Sequence, residues 1–198
     1  MSTLKVDTIL KKTGTGTITL GQSGDTISLG SGTNSSGFGI DSFTTFRLTS
    51  NYTISSTSTW EYFTANLSST MTSPSGVANL GSVVTESSGV FTFPSTGYWL
   101  VGMNLYCFRA GDNWDQAYGK AYVTTNNSSY NEFLQTAESV NAGSGSRETV
   151  MNGQGLIDVT DTANVKCKFG IYSTAPISVW GHATRNGTYF TFMKLNKT

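Results

Sequence analysis

The chain has 198 residues, only 12% of which are charged, and its 12 basic and 12 acidic side chains give a formal net charge of zero. This length fits one domain with an appendage, and the wealth of Gly, Ser, Thr and aromatic residues predicts an all-β protein with many turns. Such a neutral chain lacks the basic surplus that nucleic-acid binding requires, and no apolar run is long enough for membrane insertion.

Residues 1–40 differ in character from the rest of the chain. Two similar strand-like units, residues 17–21 and 26–30, form a short internal repeat. Their apolar side chains are Ile18, Leu20, Ile27 and Leu29, which offer too little area to stabilise an isolated hairpin. The segment is either a disordered polar tail or a set of strands that three chains intertwine into a shaft. We predict the second, an attachment module anchored by these four residues.

The same segment carries a resemblance to a known group of proteins. Residues 2–9, followed by the Thr- and Gly-rich run 13–21, resemble the start of structural proteins of marine and cyanobacterial tailed phages. This resemblance implies a virion component that binds other virion proteins through residues 1–40. Because residues 1–7 contain no apolar signal sequence, we expect a protein made in the host cytoplasm and located on the virion. Residues 31–37 have the composition of a linker, which places the domain boundary near residue 40.

The remaining residues, 41–198, follow the pattern of many short strands. The predicted strands are residues 43–49, 59–67, 79–84, 89–93, 97–108, 117–125, 130–136, 148–157, 164–172, 177–183 and 188–195. Their spacing favours a β-sandwich or barrel. Residues 131–140 have a weak helical pattern, but we expect a strand followed by a loop there.

The central element is the stretch 89–108, in which apolar residues occupy both faces of a strand. Pro94 ends a short strand, a turn follows, and a longer strand begins at residue 97. On this longer strand Trp99, Val101, Met103, Leu105 and Cys107 point one way, whereas Tyr98, Leu100, Tyr106 and Phe108 point the other. One side therefore faces a core, and the other needs a second covering surface. We predict that the second set forms an interface with further copies of the chain.

Residues 89–100 also resemble the characteristic motif of the globular head domain of the first complement component. The resemblance extends to Phe46 in an opening strand and to an aromatic closing strand at residues 188–195. It covers residues 41–198 and implies a ten-strand, tumour-necrosis-factor-like jelly-roll head. It further implies a compact homotrimer that binds other molecules and catalyses no reaction.

The sequence contains few residues suited to catalysis or metal binding. The single histidine, His182, has no nucleophile motif near it in sequence, and we expect a structural role. Cys107 and Cys167 are interpreted as buried thiols, with a disulfide as the alternative. Two acidic clusters, residues 112–115 and 158–164, could bind calcium but are more typical of turns. We therefore predict no catalytic residue, no metal and no cofactor.

The best candidate for ligand recognition is the loop before the next strand. Its polar and aromatic residues, Arg109, Asp112, Asn113, Trp114 and Asp115, are of the types that bind sugars by stacking and hydrogen bonding. Trp114 could instead pack on the sandwich or on a neighbouring subunit. Residues 141–147 form a second long loop.

Three classes of function remain open. The leading one is a non-enzymatic virion protein of a tailed phage, a homotrimeric fibre, knob or capsid decoration whose head binds a host-surface glycan or receptor. The alternative is a free-standing trimeric lectin or adhesin. An enzyme is disfavoured, since no pair of carboxylates at catalytic separation can be identified from the sequence.

Overall fold

The computed structural model describes residues 22–23, 40–55, 57–71, 78–109, 114–140 and 147–195, with the backbone alone at positions 114, 115 and 140. The chain divides into two units, Met1–Ser36 and Gly37–Thr198. The predicted anchoring residues Ile18, Leu20, Ile27 and Leu29 lie outside the described residues. The role of residues 1–40 and a boundary near residue 40 thus stay predictions.

The described residues of the second unit form β-strands joined by turns, with no helix among them. The strands are β1 (Ile40–Leu48), β2 (Tyr52–Ile54), β3 (Glu61–Tyr62), β4 (Leu67–Ser68), β5 (Thr85–Ser87), β6 (Val90–Thr92), β7 (Gly97–Arg109), β8 (Trp114–Thr124), β9 (Asn131–Val140), β10 (Arg147–Val159), β11 (Lys166–Ser173), β12 (Ile177–Val179) and β13 (Tyr189–Leu195).

These strands form two antiparallel sheets packed face to face. In the first sheet the strands pair in the order β2-β12-β7-β13-β1-β4. Both β12 and β13 pair with one edge of β7, and β10 pairs with the opposite edge. The second sheet has the order β5-β6-β11-β8-β9, with β3 pairing β11. Neighbours in each sheet are mostly distant in sequence, as in a jelly roll. The fold is therefore the all-β sandwich that the strand pattern predicts.

The long strand β7 organises the first sheet. It pairs with β10 along its whole length, from Gly97 opposite Val159 to Arg109 opposite Arg147. Its other edge pairs first with β13 and then with β12. The predicted alternation is confirmed, because the five core-facing residues Trp99, Val101, Met103, Leu105 and Cys107 are at most 3% exposed.

The core between the sheets is rich in phenylalanine. Phe46, Phe190 and Phe192 come from the first sheet, and Phe91 and Phe169 come from the second. Their rings meet edge to face, tilted or stacked, at centroid distances between 4.1 and 6.2 Å. Aromatic pairs of this kind contribute about 0.5–1.5 kcal/mol beyond the apolar area that they bury.

The hairpin between β5 and β6 requires glycine at position 89. Gly89 has φ +81°, and its amide donates to the Glu86 carboxylate at 2.6 Å. A Cβ atom at this position would lie 2.3 Å from the carbonyl oxygen of Phe63. Both the backbone conformation and the close approach of another segment exclude a side chain.

Several predicted boundaries were wrong. Residues 79–84 form no strand, because only Leu80 makes a bridge, to Phe43, and the strand that pairs with β6 is β5. The predicted strand 59–67 contains only the two-residue β3 and the beginning of β4. Residues 131–140 are strand throughout, so the loop expected at the end of that segment is absent.

Among the described residues there is no helix of the length and apolarity needed to cross a bilayer.

Candidate functional site

The outer face of the first sheet carries the residues predicted to contact further copies of the chain. Tyr98, Leu100, Tyr106 and Phe108 alternate with the core residues of β7 and so point away from the core. Tyr98 is 39% exposed and the other three are half-buried. The structure therefore brings these side chains onto one surface, where they fall into two apolar patches.

The first patch, the Leu100 patch, lies where β10, β7, β13 and β1 run side by side. Across the strands Leu100 faces Leu156 on β10 and Met193 on β13. Tyr98 and Leu195 form the next pair, and Ile40 of β1 lies opposite Leu195. Leu156 is 55% exposed and Ile40 is 49% exposed, which leaves a contiguous aliphatic surface open to solvent.

The second patch, the Tyr106 patch, lies at the other end of β7. Tyr106 pairs with Val150, which is 44% exposed, and its ring lies 5.6 Å from that of Trp180. The Tyr106 hydroxyl also donates to the Glu148 carboxylate, and this bond, together with burial, raises the pKa of Tyr106. Phe108 extends the patch towards β12.

A polar depression of about 460 Å³ separates the two patches. Its lining residues are Gly102, Met103, Asn104, Asn152, Gly153, Gln154, Tyr189 and Thr191. The Asn104 side chain donates to the Gly187 carbonyl at 2.7 Å, which fixes its amide at the depression wall. A Cβ at Gly102 would lie 2.6 Å from Thr191 Oγ1, so the glycine keeps the depression open.

This face is suited to binding a protein surface. Its apolar side chains supply area to bury, while its amide and hydroxyl groups supply hydrogen bonds that set the register of a partner. Leu, Met and Tyr at the centre with polar groups between them are typical of protein interfaces. The predicted interface role of Tyr98, Leu100, Tyr106 and Phe108 stays a prediction.

The recognition loop of the sequence analysis is only partly described. Arg109 is the last residue of β7, and Trp114 and Asp115 begin β8, so both strands extend further than predicted. The backbone of Trp114 pairs with that of Val140. Asp112 and Asn113 lie outside the described residues, and so does the loop 141–146. Ligand binding by this loop stays a prediction.

The remaining residues that were considered for chemistry have structural contacts. His182 stacks on Trp180 at 5.5 Å, and its Nδ1 accepts from the Thr184 amide at 3.1 Å. Asp161 accepts from the Ala163 amide at 2.8 Å, as a turn-forming carboxylate does. Within the described part of the chain, no three His, Cys, Asp or Glu side chains meet in a metal-binding group.

Both cysteines are free thiols in the core. Cys107 lies on β7 and Cys167 on β11, in different sheets, and each is fully buried. Burial raises the pKa of Cys107 to about 12 and raises that of Cys167 as well. Such thiols stay protonated and pack as small apolar groups.

One surface was missed by the sequence analysis, the outer face of the second sheet. It carries aromatic side chains from three strands and the loops beside them, with lysines between them: Trp60, Tyr62, Tyr118, Tyr122, Tyr130 and Tyr172, and Lys120 and Lys168. We call it the aromatic–lysine face. The sequence shows that outward-facing side chains alternate with core residues in 118–122 and 168–172. It does not show that β3, β8 and β11 are neighbours in the sheet.

Comparison with known proteins identifies the fold. No protein-family model and no curated protein sequence matches this chain. Solved structures do match. Murine APRIL superposes with a TM-score of 0.54 at 10% identity, covering 78% of this chain and 98% of APRIL. Eiger TNF from S. frugiperda superposes with a TM-score of 0.54 at 14% identity, covering 79% of this chain and 93% of the other. The chain therefore has the tumour-necrosis-factor-like jelly-roll fold that its central motif predicts.

Proposed function

We propose that this protein is a non-enzymatic structural component of a tailed-phage virion. In this proposal it is a homotrimer that forms a fibre, knob or capsid decoration, with residues 1–40 bound to other virion proteins and the jelly-roll head facing outwards. The observation that carries the proposal is the apolar outer face of the first sheet.

The exposed area of that face supports self-association. Leu156, Ile40, Val150 and Tyr98 are between 39% and 55% exposed, and they adjoin further half-buried apolar side chains. Monomeric proteins rarely expose contiguous apolar patches larger than a few hundred Å². Covering the same patch on every copy is what a symmetric oligomer achieves. Each large apolar side chain that becomes fully buried contributes about 1.5–3 kcal/mol.

The assignment to a virion is supported by the N-terminal sequence. Residues 2–9 and the run 13–21 resemble the start of phage structural proteins, and the repeat at residues 17–30 supplies too little apolar area to be stable without partners. Ordering a residue costs about 1–2 kcal/mol, which the four side chains of the repeat cannot offset alone. Attachment to the particle would supply the remaining free energy.

The head is assigned a binding role because its principal surface is made of apolar side chains and amides. Groups of this kind provide buried area and hydrogen bonds, but they provide neither a nucleophile nor a general base.

Two measurements test the proposal. Light scattering on residues 41–198 should give the mass of three chains at micromolar concentration, and a stable monomer would refute the trimer. Gold-labelled antibodies to the head should decorate tailed particles in electron micrographs. A trimer found only free in the medium would refute the virion role and support the free-standing binding protein.

A further inference from the structure

The outer face of the second sheet forms a continuous row of aromatic rings. Tyr118 lies 5.7 Å from Tyr172, Tyr172 lies 5.4 Å from Trp60, and Trp60 lies 6.4 Å from Tyr122. Tyr122 in turn lies 5.6 Å from Tyr62. Tyr118 and Tyr122 alone are four residues apart on β8, about 13 Å at the usual rise of a strand. Only an elongated ligand would contact the whole row.

Lysines are inserted into this row and are held by the rings. The Lys168 ammonium lies 4.0 Å from the centroid of Tyr62 and 4.4 Å from that of Tyr130. The Lys120 ammonium lies 4.4 Å from the centroid of Trp60 and forms an ion pair with Glu132 at 2.5 Å. Cation–π contacts of this kind position a charge without neutralising it.

The face has a positive surplus on a chain that is neutral overall. By alternation along β11, Lys166 lies on the same side as Lys168, and Glu132 is the acidic partner of Lys120. Glu61 points to the opposite side, where the Tyr52 hydroxyl donates to it at 3.1 Å. Within the described residues Lys168 forms no ion pair with a carboxylate. Burial also lowers the pKa of Lys168, because its ammonium is partly withdrawn from water.

The composition of the face argues for a sugar polymer over a protein. The large apolar residues that are exposed elsewhere, such as Leu156 and Val150, have no counterpart on it in the described part of the chain. Lysine is depleted at the centre of protein interfaces, whereas it lies at the centre here.

At its far end the row opens into a polar depression of about 270 Å³, lined by Gln116, Tyr118, Ala137, Ser139 and one acidic residue, Glu138. The Tyr118 hydroxyl donates to Gln116 Oε1 at 3.0 Å, so both groups are held at its rim. Amide and hydroxyl groups beside an aromatic ring are suited to the hydroxyl groups of a sugar.

We propose that the aromatic–lysine face binds an anionic polysaccharide. Sugar rings stack along the row formed by Tyr172, Trp60 and Tyr122, and a carboxylate or sulfate group of the polymer pairs with Lys168. Lys168 is a binding residue in this arrangement, and the rings of Tyr62 and Tyr130 hold it in position.

The test is titration calorimetry of the full-length chain at low salt with three probes: polygalacturonate, heparin and the neutral polymer dextran. We expect binding of at least one acidic polymer and none of dextran. Lys168→Gln should weaken that binding about tenfold, the usual effect of losing one charge-assisted contact. Lys194→Gln removes the same charge from β13, outside this face, and should leave the affinity unchanged.

A second variant and a further ligand complete the test. Trp60→Leu removes a flat ring while keeping an apolar side chain, and it should also weaken binding while the chain stays folded at the temperature of the titration. Equal binding of dextran, or equal loss in Lys168→Gln and Lys194→Gln, would overturn the proposal. Tighter binding of a single-stranded oligonucleotide would overturn it in favour of nucleic acid. A change of oligomeric state in Lys168→Gln would show that the face is covered by another copy.

Discussion

Phe169 of β11 and Phe190 of β13 stack on each other across the sandwich, with their ring centroids 4.1 Å apart and their planes inclined by 19°. Both rings are fully buried. The pair thus joins the two sheets at the centre of the core, and the stability of the head depends on it.

Replacing Phe169 by Ala should lower the free energy of unfolding by about 3–5 kcal/mol, because the surrounding rings cannot collapse into the space that is left. Chemical denaturation of the head measures this. Val83→Ala, at a side chain that is 37% exposed, is the control and should change stability by about 0.5 kcal/mol or less. Similar losses in the two variants would contradict the assignment of the core.

The proposed homotrimer should dissociate when a charge is placed in the Leu100 patch. Leu156→Asp puts a carboxylate at the most exposed apolar position of that patch, and burying it in an interface would cost several kcal/mol. Light scattering should then give one third of the wild-type mass. Val83→Asp introduces the same charge just before β5, at a residue outside the Leu100 patch, and this variant should remain trimeric. A trimeric Leu156→Asp head would place the interface elsewhere.

The stability of the head should fall in alkaline solution. An unfolded Cys107 titrates near pH 9.0, whereas burial raises its pKa to about 12 in the fold. The protonated thiol therefore makes its full contribution to the free energy of unfolding below about pH 9. That contribution is lost as the pH rises towards 12, at about 1.4 kcal/mol per pH unit. The pKa of Cys167 is also raised by burial, so urea unfolding at pH 8, 10 and 11 should show at least this slope, and Cys107→Ala should reduce it. Identical slopes in both proteins would show that this thiol is not the cause.

Gly89→Ala should destabilise the head by about 1–3 kcal/mol or more, since φ +81° and the Phe63 carbonyl both oppose a Cβ atom. The neighbouring Ser88 also has a positive φ, of 51°. Ser88→Gly should therefore be neutral or slightly stabilising. Thermal unfolding of the two variants compares them directly, and a harmless Gly89→Ala would mean that the hairpin has another conformation.

Replacing Ile18 and Leu20 by Ser should leave the head folded and trimeric but abolish its incorporation into particles. We expect this because residues 1–40 are predicted to attach the protein to the particle, whereas the head has its own core. Immunoblots of purified particles measure incorporation, and Ser substitution of Thr17 and Thr19 is the matched control. Normal incorporation of the Ile18 and Leu20 variant would show that attachment occurs elsewhere.

The sequence predicted the parts of the fold that depend on local pattern. The alternation of Trp99, Val101 and Met103 with Tyr98 and Leu100 defines a strand with apolar residues on both faces, and the structure confirms that the first set is buried in the core. The run at residues 79–84 misled because its apolar residues Leu80, Val83 and Val84 suggest a strand, whereas only Val84 is buried. The β-strand propensity of a residue does not show whether its segment pairs with another strand.

The surfaces were harder to predict, since each is assembled from strands that are distant in sequence. The Leu100 patch combines residues 40, 100, 156 and 193, and only its β7 members were identified. The aromatic–lysine face combines residues 60, 122 and 172, whose adjacency follows from the order β3-β11-β8. The alternation of side chains along a strand shows which residues point outwards, but it does not show which residues of other strands lie beside them in the sheet.

The position of β13 has a consequence for how the head is made. This strand comes last among the described strands, yet it lies between β7 and β1, and it supplies Phe190 and Phe192 to the core. On the ribosome, the earlier strands must therefore wait for residues 189–195 before the first sheet can close. Contacts of such long sequence separation make folding slow and leave aromatic surface exposed in the meantime. Folding of the head should accordingly wait until residues 189–195 have left the ribosome.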